Sequence, residues 1–428
     1  MAVLAGPKLN VALVDPFTSG HHPTYLRLMS RVLLELGHRL LVFGPEGMRL
    51  REWVEAHEPR WLDRVESYEM PRPTFGAGPG RSLRQRRADL RATWRYYGDH
   101  LDRAREQGCV EPDLVWFMWL DGLLGPLQTP RQPHAALRGR PWAGLYFHPR
   151  HLRPFAEDRR PRPRVPFWRR CLRSGLKASA SLLGPLADPD APLRAPSCRF
   201  VGVLDEGIAG SLERKMCKPV VIVPDIADDT PPDPHFQLAR DLKTWAGENC
   251  LIGSIGSQAP RKGLPDLLAL ARAAQGLPVK FAAVGRSAFI RPEHQRLLRQ
   301  PPPNCALHLQ PLPDEAAFNA LVAACDVIFA AYRDFRHSSN ILNKAAIFRK
   351  PVIVSDGYLM AERVRRYRLG LVVPEGDLGA LTEAVKHLLR PGGLEQLRAQ
   401  AGFNDYRRDH SLACLARSIT TAFERIFD

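Results

Sequence analysis

The sequence predicts an α/β protein that contains two doubly wound parallel sheets, one in each half of the chain. Short apolar segments typical of buried strands alternate with amphipathic helical segments, and about seven such strands fit in the first half. The alternation stops in an acidic, proline-rich segment at 224–238, which resembles an interdomain linker, and resumes at residue 250. A chain of 428 residues is also too long for one compact core, so we expect two domains.

The clearest unit of this pattern is the stretch 328–357, IFAAYRDFRHSSNILNKAAIFRKPVIVSDG. It reads as a buried strand, a polar loop, a helix that opens at 338–340, and a second strand at 351–355. Strands joined by a helical crossover are parallel, so the polar loop lies at the carboxyl edge of the sheet, where such folds bind ligands. Unpaired N–H groups at a helix start favour a phosphate-bearing ligand there.

The first half shows the same alternation. A strand at 9–14 is followed by apolar residues at helical spacing over 22–36 and by a strand at 39–43. The loop between the first strand and the helix contains Gly20, which lets a ligand approach the backbone closely. Further strands are expected at 65–70, 114–119, 143–147, 199–204, 220–223, 250–255, 279–284, 306–309 and 370–373. Further helices are expected at 82–106, 206–216, 264–274, 292–299, 315–324 (capped by Asp314) and 411–427.

Composition places the protein among soluble globular proteins, with 45% hydrophobic and 25% charged residues. The first residues lack a charged n-region, and no stretch reaches the roughly eighteen uncharged apolar residues of a transmembrane helix. We therefore predict neither secretion nor a membrane span. The eight cysteines are scattered without zinc-like spacing, which favours free thiols in a cytoplasmic protein.

The formal net charge of +16 indicates an anionic partner, although an arginine-rich codon usage in the source is an alternative explanation. The excess concentrates at 81–105 and 148–177. Aromatic side chains such as Phe155 and Trp168 interleave with the second of these stretches. We favour an anionic membrane surface over nucleic acid as its partner, because no nucleic-acid-binding module accompanies the charge.

Motifs in the second half resemble the retaining family four, or group 1, glycosyltransferases of the GT-B fold. The resemblance is carried by IGSIGSQAPRKGLPDLLAL, VKFAAVGRS, LQPLPDEAAFNALVAACDVIFAAY, NKAAIFRKPVIVSDGYLMAERV and GLVVPEGDLGALTEAV, in this order. It covers most of 250–390, and GHHPTYLRLM and GLYFHPRH match more loosely in the first half. The fold implies a Rossmann-like acceptor domain over 1–225 with a basic insertion at about 150–190, a Rossmann-like donor domain over 226–405, and a helix over 406–428 that crosses back to the first domain.

The resemblance implies several residues that contact a nucleotide-sugar donor. Lys262 matches the lysine that grips the donor diphosphate, and Arg261 is a candidate to share this load, because Ser257 stands at the position of the family arginine. Gly20 matches a glycine that faces the diphosphate. His148 resembles a histidine that touches the donor sugar near the reacting carbon.

Other donor contacts are expected at Arg286 and at the helix start formed by Ser338, Ser339 and Asn340. For these three polar residues, ordinary helix capping is the alternative explanation. On the acceptor side, the candidates are His21, His22 and Asp121. Only one of the adjacent histidines can face the site, and Asp121 is alternatively a turn residue.

One departure from the family pattern is conspicuous in this sequence. The family has two glutamates eight positions apart, the second of which binds the donor ribose, whereas this chain has Arg336 and Lys344. An ammonium only donates hydrogen bonds and prefers phosphate, so Arg336 and Lys344 are candidate phosphate ligands of the donor, with neutral drift as the alternative. The sequence thus leaves open a rearranged ribose site, a different donor, or a loss of catalysis.

We therefore expect a cytoplasmic glycosyltransferase, peripheral on the inner face of the membrane, that transfers a sugar with retention from a nucleotide-sugar to a polysaccharide, lipid-linked or other glycan precursor. The resemblance implies that the reaction needs no metal or other cofactor. A catalytically degenerate GT-B protein that acts as a binding or scaffold partner is the alternative. An epimerase on the same fold is a weaker one.

Overall fold

The computed structural model describes residues 8–18, 22–74, 82–149, 188–287 and 298–427. The chain separates into two compact units: unit 1, which is Met1–Val223 with Leu412–Asp428, and unit 2, which is Pro224–Ser411. Gly20 and His21 lie outside the described residues, as do most of the predicted basic insertion and of the helix predicted at 292–299.

Unit 1 is built on seven strands and the helices that connect them. The strands are β1 (Asn10–Val14), β2 (Arg39–Phe43), β3 (Val65–Tyr68), β4 (Leu114–Phe117), β5 (Trp142–Tyr146), β6 (Cys198–Val203) and β7 (Val220–Ile222). The described helices before and between them are α1 (His22–Glu35), α2 (Gly47–His57), α3 (Leu83–Glu106), α4 (Arg131–Ala136) and α5 (Glu206–Met216).

The sheet of unit 1 has the order β3-β2-β1-β4-β5-β6-β7, and its strand pairs are parallel. The strand order reverses between β1 and β4. In sheets of this kind the loops after two such strands diverge to opposite faces and leave a crevice at the carboxyl edge, where ligands bind. The ends of β1 and β4 are therefore the place to look for a site in unit 1.

Burial explains why these segments form a parallel sheet. Every residue of β4 and of β5 is buried, as expected for strands that are covered by helices on both faces. The tryptophans Trp94, Trp116 and Trp142 are among the largest fully buried side chains. Helix α3 begins with a capping box, in which the Ser82 hydroxyl accepts from the Gln85 backbone N–H and the Gln85 side chain accepts from the Ser82 N–H.

Unit 2 has six strands: β8 (Cys250–Ile255), β9 (Val279–Val284), β10 (Cys305–His308), β11 (Val327–Ala330), β12 (Val352–Ser355) and β13 (Gly370–Val373). Its described helices are α6 (Gln237–Ala246), α7 (Leu264–Ala273), α8 (Glu315–Ala324), α9 (Ile341–Ile347), α10 (Leu359–Tyr367), α11 (Leu378–Leu388), α12 (Gly393–Gln400) and α13 (Phe403–Asp409). The final helix, α14 (Leu412–Phe427), belongs to unit 1. The sheet order is β10-β9-β8-β11-β12-β13, so the switch point lies between β8 and β11.

The predicted fold class, two doubly wound parallel sheets, is confirmed. Asp314 caps α8 as predicted, because its carboxylate accepts from the Ala317 N–H at 2.8 Å. The sequence analysis did not predict α2, α4, α6, α10, α12 or α13. Its linker at 224–238 overlaps the start of α6, because the proline-rich run before Gln237 obscures that helix start. No described helix combines the length and the apolar character needed to cross a membrane.

Helix α14 closes the core of unit 1 although it follows unit 2 in the sequence. Its Phe423 ring lies 5.1 Å from His38, 6.2 Å from Trp116 and 6.3 Å from Phe200, measured between ring centroids. The helix also packs on α1 and β7. Burial lowers the pKa of His38 to about 4, with Arg64 as a second cause, so the imidazole in this contact is neutral at pH 7.

We predict that Phe423→Ala lowers the free energy of unfolding of unit 1 by about 3 kcal/mol, because it opens a cavity against three aromatic rings. Urea denaturation followed by tryptophan fluorescence measures this loss. Arg417→Ala, at an exposed position of the same helix, is the control and should change the stability little. Equal stability of the two variants would contradict the packing role of Phe423.

Candidate functional site

A short turn at the carboxyl end of β8 places Lys262 at the switch point of unit 2. The turn is the 3₁₀ helix Pro260–Lys262, and Gly263 follows it with φ +79°. A Cβ at Gly263 would lie 2.4 Å from the Ala331 carbonyl oxygen, so only glycine fits. The Arg333 N–H donates to the Arg261 carbonyl at 2.8 Å, which joins this turn to the segment after β11.

The Lys262 ammonium rests on two aromatic rings. Its Nζ lies 4.0 Å from the ring centroid of Tyr332 and 4.6 Å from that of Phe335. Among the described residues no carboxylate forms an ion pair with it. Burial, and then the neighbouring Arg261, lower the pKa of Lys262 to about 7, while Asp225 acts in the opposite direction. Within the described part of the chain this cation therefore has no ion-paired carboxylate, and a bound anion would raise the pKa of Lys262 again.

Three other candidates for donor contacts lie in this turn or close to it in unit 2. Arg261 is exposed, and its guanidinium carbon lies 5.8 Å from the Phe335 ring centroid. Ser257 and Arg286 are exposed in the turns that follow β8 and β9. The Gln258 N–H donates to the Arg286 carbonyl at 2.9 Å, so the two turns are held together.

The loop before α9 is fixed by a buried polar group of residues. The Ser338 hydroxyl donates to the Asp225 carboxylate and accepts from the Arg363 guanidinium. Asp225 and Arg363 are both buried. The Asn343 side chain donates to the Asp225 carbonyl. The sequence analysis predicted Ser338 as a donor contact, whereas the structure shows its hydroxyl engaged within unit 2.

Ser339 and Asn340 differ from Ser338. The Ser339 side chain hydrogen-bonds the hydroxyl of Tyr332, the residue whose ring lies under the Lys262 ammonium. Asn340 precedes α9 and makes no side-chain capping bond. Its amide oxygen is buried and has no hydrogen-bond partner among the described residues. A buried acceptor of this kind costs free energy unless a ligand or water pairs with it, which favours a binding role.

Lys344, at the second family glutamate position, is buried and points into unit 2. Its Nζ donates to the Asp228 carbonyl at 2.6 Å, to Asn319 Oδ1 at 2.7 Å and to Glu315 Oε2 at 2.8 Å. These three acceptors use all three N–H donors of the ammonium. The Asn319 side chain in turn donates to the Thr230 carbonyl at 2.6 Å. Lys344 thus fastens the segment around Asp228 to α8.

Arg336, at the first glutamate position, is more superficial than Lys344. Its Nε lies 3.3 Å from the Asp334 carboxylate, and its guanidinium carbon lies 5.9 Å from the Tyr358 ring centroid. Asp334 is more than half exposed. The Arg336 side chain itself is only 11% exposed, so it lies at the margin of the interior next to an exposed carboxylate.

A second cluster lies at the switch point of unit 1, at the carboxyl ends of β1 and β4. The buried Asp15 carboxylate accepts from His22 Nδ1 at 3.0 Å. The His22 ring lies 4.5 Å from Phe17 and 5.0 Å from Trp119 between centroids. Trp119 also stacks on Phe147 at 4.8 Å. The cluster combines aromatic faces with an imidazole whose orientation a carboxylate fixes.

Asp121 organises the other side of this cluster. Its carboxylate accepts from the backbone N–H groups of Phe147 at 3.0 Å and His148 at 2.7 Å, and it lies 3.3 Å from His148 Nδ1. The His148 ring is 5.1 Å from Trp119. Asp121 therefore joins the loop after β4 to the end of β5 and positions His148.

The structure thus brings the predicted residues together in two groups, one in each unit. It also adds residues that the sequence analysis missed: Tyr332 and Phe335 around Lys262, and Asp15 and Trp119 around His22. All four lie within about five residues after the end of β1, β4 or β11, which is the signal that a search of strand ends would have used. No cluster of three or more His, Cys, Asp or Glu residues capable of holding a metal ion occurs in the described part of the chain.

Solved structures share this architecture. HepE of Anabaena, in complex with UDP and glucose, superposes with a TM-score of 0.59 at 15% identity over 97% of this chain and 99% of HepE. For sucrose-phosphate synthase from Thermosynechococcus elongatus the TM-score is 0.61 at 14% identity, over 98% and 99% of the two chains. For WaaG, a glycosyltransferase involved in lipopolysaccharide biosynthesis, it is 0.55 at 16% identity, over 96% and 98%. The fold is therefore GT-B.

Residues 249–391 match the family model of the group 1 glycosyl transferases. Residues 249–391 thus form a domain of the group 1 glycosyl transferases on a GT-B fold, which confirms the resemblance seen in the second half of the sequence. Comparison with curated protein sequences gives no match.

The buried contacts of the Lys344 ammonium predict how its replacement changes stability. Lys344→Met should lower the free energy of unfolding by about 2 kcal/mol or more, because it leaves the Asn319 and Asp228 oxygens buried without a donor. Lys344→Glu should cost more, because it adds a carboxylate beside Glu315. Urea denaturation measures both losses. Lys386→Met, at an exposed position of α11, is the control, and a Lys344→Met variant as stable as this control would contradict the cross-linking role.

The lowered pKa of Lys262 makes stability depend on pH. Between about pH 7 and the ordinary lysine pKa the unfolded chain binds the proton that the folded chain has released, so this residue makes stability rise with pH. Lys262→Met should therefore stabilise the protein more at about pH 6 than at about pH 10. Thermal unfolding at several pH values tests this, with Lys386→Met expected to show no such trend. A gain in stability that is the same at every pH would refute the lowered pKa of Lys262.

Proposed function

We propose that the protein transfers a sugar from a nucleotide-sugar donor to an acceptor, with retention of configuration at the anomeric carbon. The observation that carries this proposal is the Lys262 ammonium, which has no ion-pair partner among the described residues and lies at the switch point of a group 1 glycosyltransferase domain. A diphosphate supplies the missing anion.

In this proposal unit 2 binds the donor. Lys262 contacts the diphosphate, and Arg261, Ser257 and Arg286 lie in the turns around it. The Asn340 amide oxygen accepts a hydrogen bond from a hydroxyl of the donor, which satisfies an otherwise unpaired buried acceptor. HepE, one of the solved structures with this fold, contains UDP and glucose, which supports a donor of this chemical class.

Unit 1 binds the acceptor. The flat faces of Trp119 and Phe17 suit the apolar face of a sugar ring, and His22, held by Asp15, suits its hydroxyl groups. Asp121 stays a candidate on the acceptor side. His21 stays a proposed acceptor-side residue, and Gly20 stays a proposed contact of the donor diphosphate, both on the strength of the sequence alone. The acceptor class we propose is a polysaccharide, lipid-linked or other glycan precursor, and the location is cytoplasmic and peripheral to the membrane.

The proposed step follows the family resemblance. The bond between the anomeric carbon and the diphosphate oxygen breaks, and the acceptor oxygen bonds to that carbon on the same face. A diphosphate oxygen takes the acceptor proton, so no side-chain base and no metal is required. Lys262 stabilises the negative charge that develops on the leaving diphosphate, and it does so in surroundings where the charge is poorly screened. His148 orients the donor sugar.

A second candidate is a GT-B protein that binds a nucleotide-sugar without transferring it. The observation that favours it is the absence of both family glutamates, together with the burial of Lys344 in contacts within unit 2. Such a protein would act as a binding or scaffold partner.

A panel of nucleotide-sugars distinguishes these functions. Calorimetry reports binding, and release of the free nucleoside diphosphate in the presence of glycan acceptors reports turnover. We expect both for at least one donor. Binding without turnover would favour the second candidate, and the absence of binding and turnover with every common donor would overturn the proposal.

With an active donor identified, Lys262→Met should lower kcat by about 10²- to 10³-fold, the usual effect of removing one group that stabilises developing negative charge. Steady-state kinetics measures it, and Lys386→Met serves as the control for loss of a lysine elsewhere in unit 2. A variant with unchanged kcat would show that Lys262 does not face the diphosphate.

A further inference from the structure

An arginine-lined groove occurs on unit 1, outside both clusters described above. It lies between α3 and α4 and encloses about 440 Å³. The two helices approach closely because of Gly98, where a Cβ would lie 1.9 Å from the Ala136 carbonyl oxygen. The charged side chains that line the groove are Arg91, Arg95, Asp99, Arg131 and Arg138.

The positive charge of this groove is not balanced by its own residues. The carboxylate of Asp99 lies 3.5 Å from Arg138, which Asp102 also binds. Among the described residues Arg95 and Arg131 form no ion pair, and the polar neighbour of Arg91 is the Gln132 amide, 2.6 Å from Nε. Three guanidinium groups therefore face the groove without a carboxylate.

Such an arrangement is unfavourable for the protein alone. Arg91 and Arg95 are four residues apart on one face of α3, and like charges at this spacing destabilise a helix by a few tenths of a kcal/mol. An anion bound between Arg91 and Arg95 turns this repulsion into a net electrostatic attraction. Guanidinium groups match the oxygen atoms of phosphate in a two-point geometry, and several converging on one cavity suit a group with more than one negative charge.

We propose that the groove between α3 and α4 is a binding site for a phosphate monoester or pyrophosphate group. The volume fits a group of the size of a phosphorylated sugar or a lipid headgroup rather than an extended polymer. Few large apolar side chains are exposed among the described residues, and none of them lines the groove, so recognition depends on charge and hydrogen bonds. The site is separate from Lys262 and does not depend on the proposed transfer reaction.

The test uses inorganic pyrophosphate as the probe, measured by calorimetry on the full chain. The groove variant is Arg91→Gln with Arg95→Gln. Its control is Arg86→Gln with Arg105→Gln, which removes the same charge from exposed positions of the same helix outside the groove. Both double variants are also made with Lys262→Met, so that pyrophosphate binding in the groove is distinguished from binding at any diphosphate site in unit 2.

We expect two pyrophosphate sites in the native chain, of which the groove variant weakens one by about tenfold or more while the control keeps both. The thermal midpoint of the groove variant should equal or exceed that of the native chain, because a like-charge pair is removed. Equal weakening in both variants would mean non-specific attraction by net charge and would overturn the proposal, as would no weakening in either.

A second experiment determines whether the phosphate belongs to a lipid headgroup or to a soluble ester. Co-sedimentation is measured with phosphatidylcholine vesicles that contain phosphatidic acid, and with vesicles of phosphatidylcholine alone. Loss of binding to the anionic vesicles in the groove variant, but not in the control, identifies a lipid headgroup as the ligand. Vesicle binding that is unchanged while pyrophosphate binding is lost identifies a soluble phosphate ester.

Discussion

A partly buried ammonium that forms no ion pair with a carboxylate among the described residues determines the chemistry of unit 2. Lys262 rests on the faces of Tyr332 and Phe335, which compensate only part of its lost hydration, and Arg261 adds a second positive charge beside it. The protein therefore holds this charge at a cost in stability that an anion offsets. The arrangement depends on Gly263, because any side chain there would collide with the end of β11.

Arg336 and Lys344, which replace the two family glutamates by basic residues, make different contacts in the structure. Lys344 has become an internal cross-link that joins the segment around Asp228 to Glu315 and Asn319 of α8, whereas the mostly buried Arg336 lies beside the exposed Asp334. Recognition of a donor by this chain must therefore use acceptors other than two glutamates. The unpaired amide oxygen of Asn340 is one such group in the described structure.

Much of the architecture could be predicted from the sequence, because buried strands and amphipathic helices have clear periodicities. Lys262 was singled out by the family resemblance, and its place in a turn after a parallel strand agrees with the rule that ligands bind at that edge. The direction of the Lys344 side chain did not follow, because its partners Asp228 and Glu315 are distant in sequence and meet only when α8 and α9 pack. The pair of Asp15 and His22 escaped notice for a related reason: the loop between them was read for its glycine and not for its carboxylate.

Helix α14 gives the two units different histories during synthesis. Unit 2 is complete once residue 411 has left the ribosome, but the core of unit 1 lacks Phe423 and its neighbours until the residues that follow unit 2 have emerged. Domains usually fold as units in the order in which they are made. In this chain the synthesis of unit 1 begins before that of unit 2 and is completed after it. While unit 2 is being translated, unit 1 therefore exposes the apolar surface around Trp116 and Phe200 that Phe423 later covers.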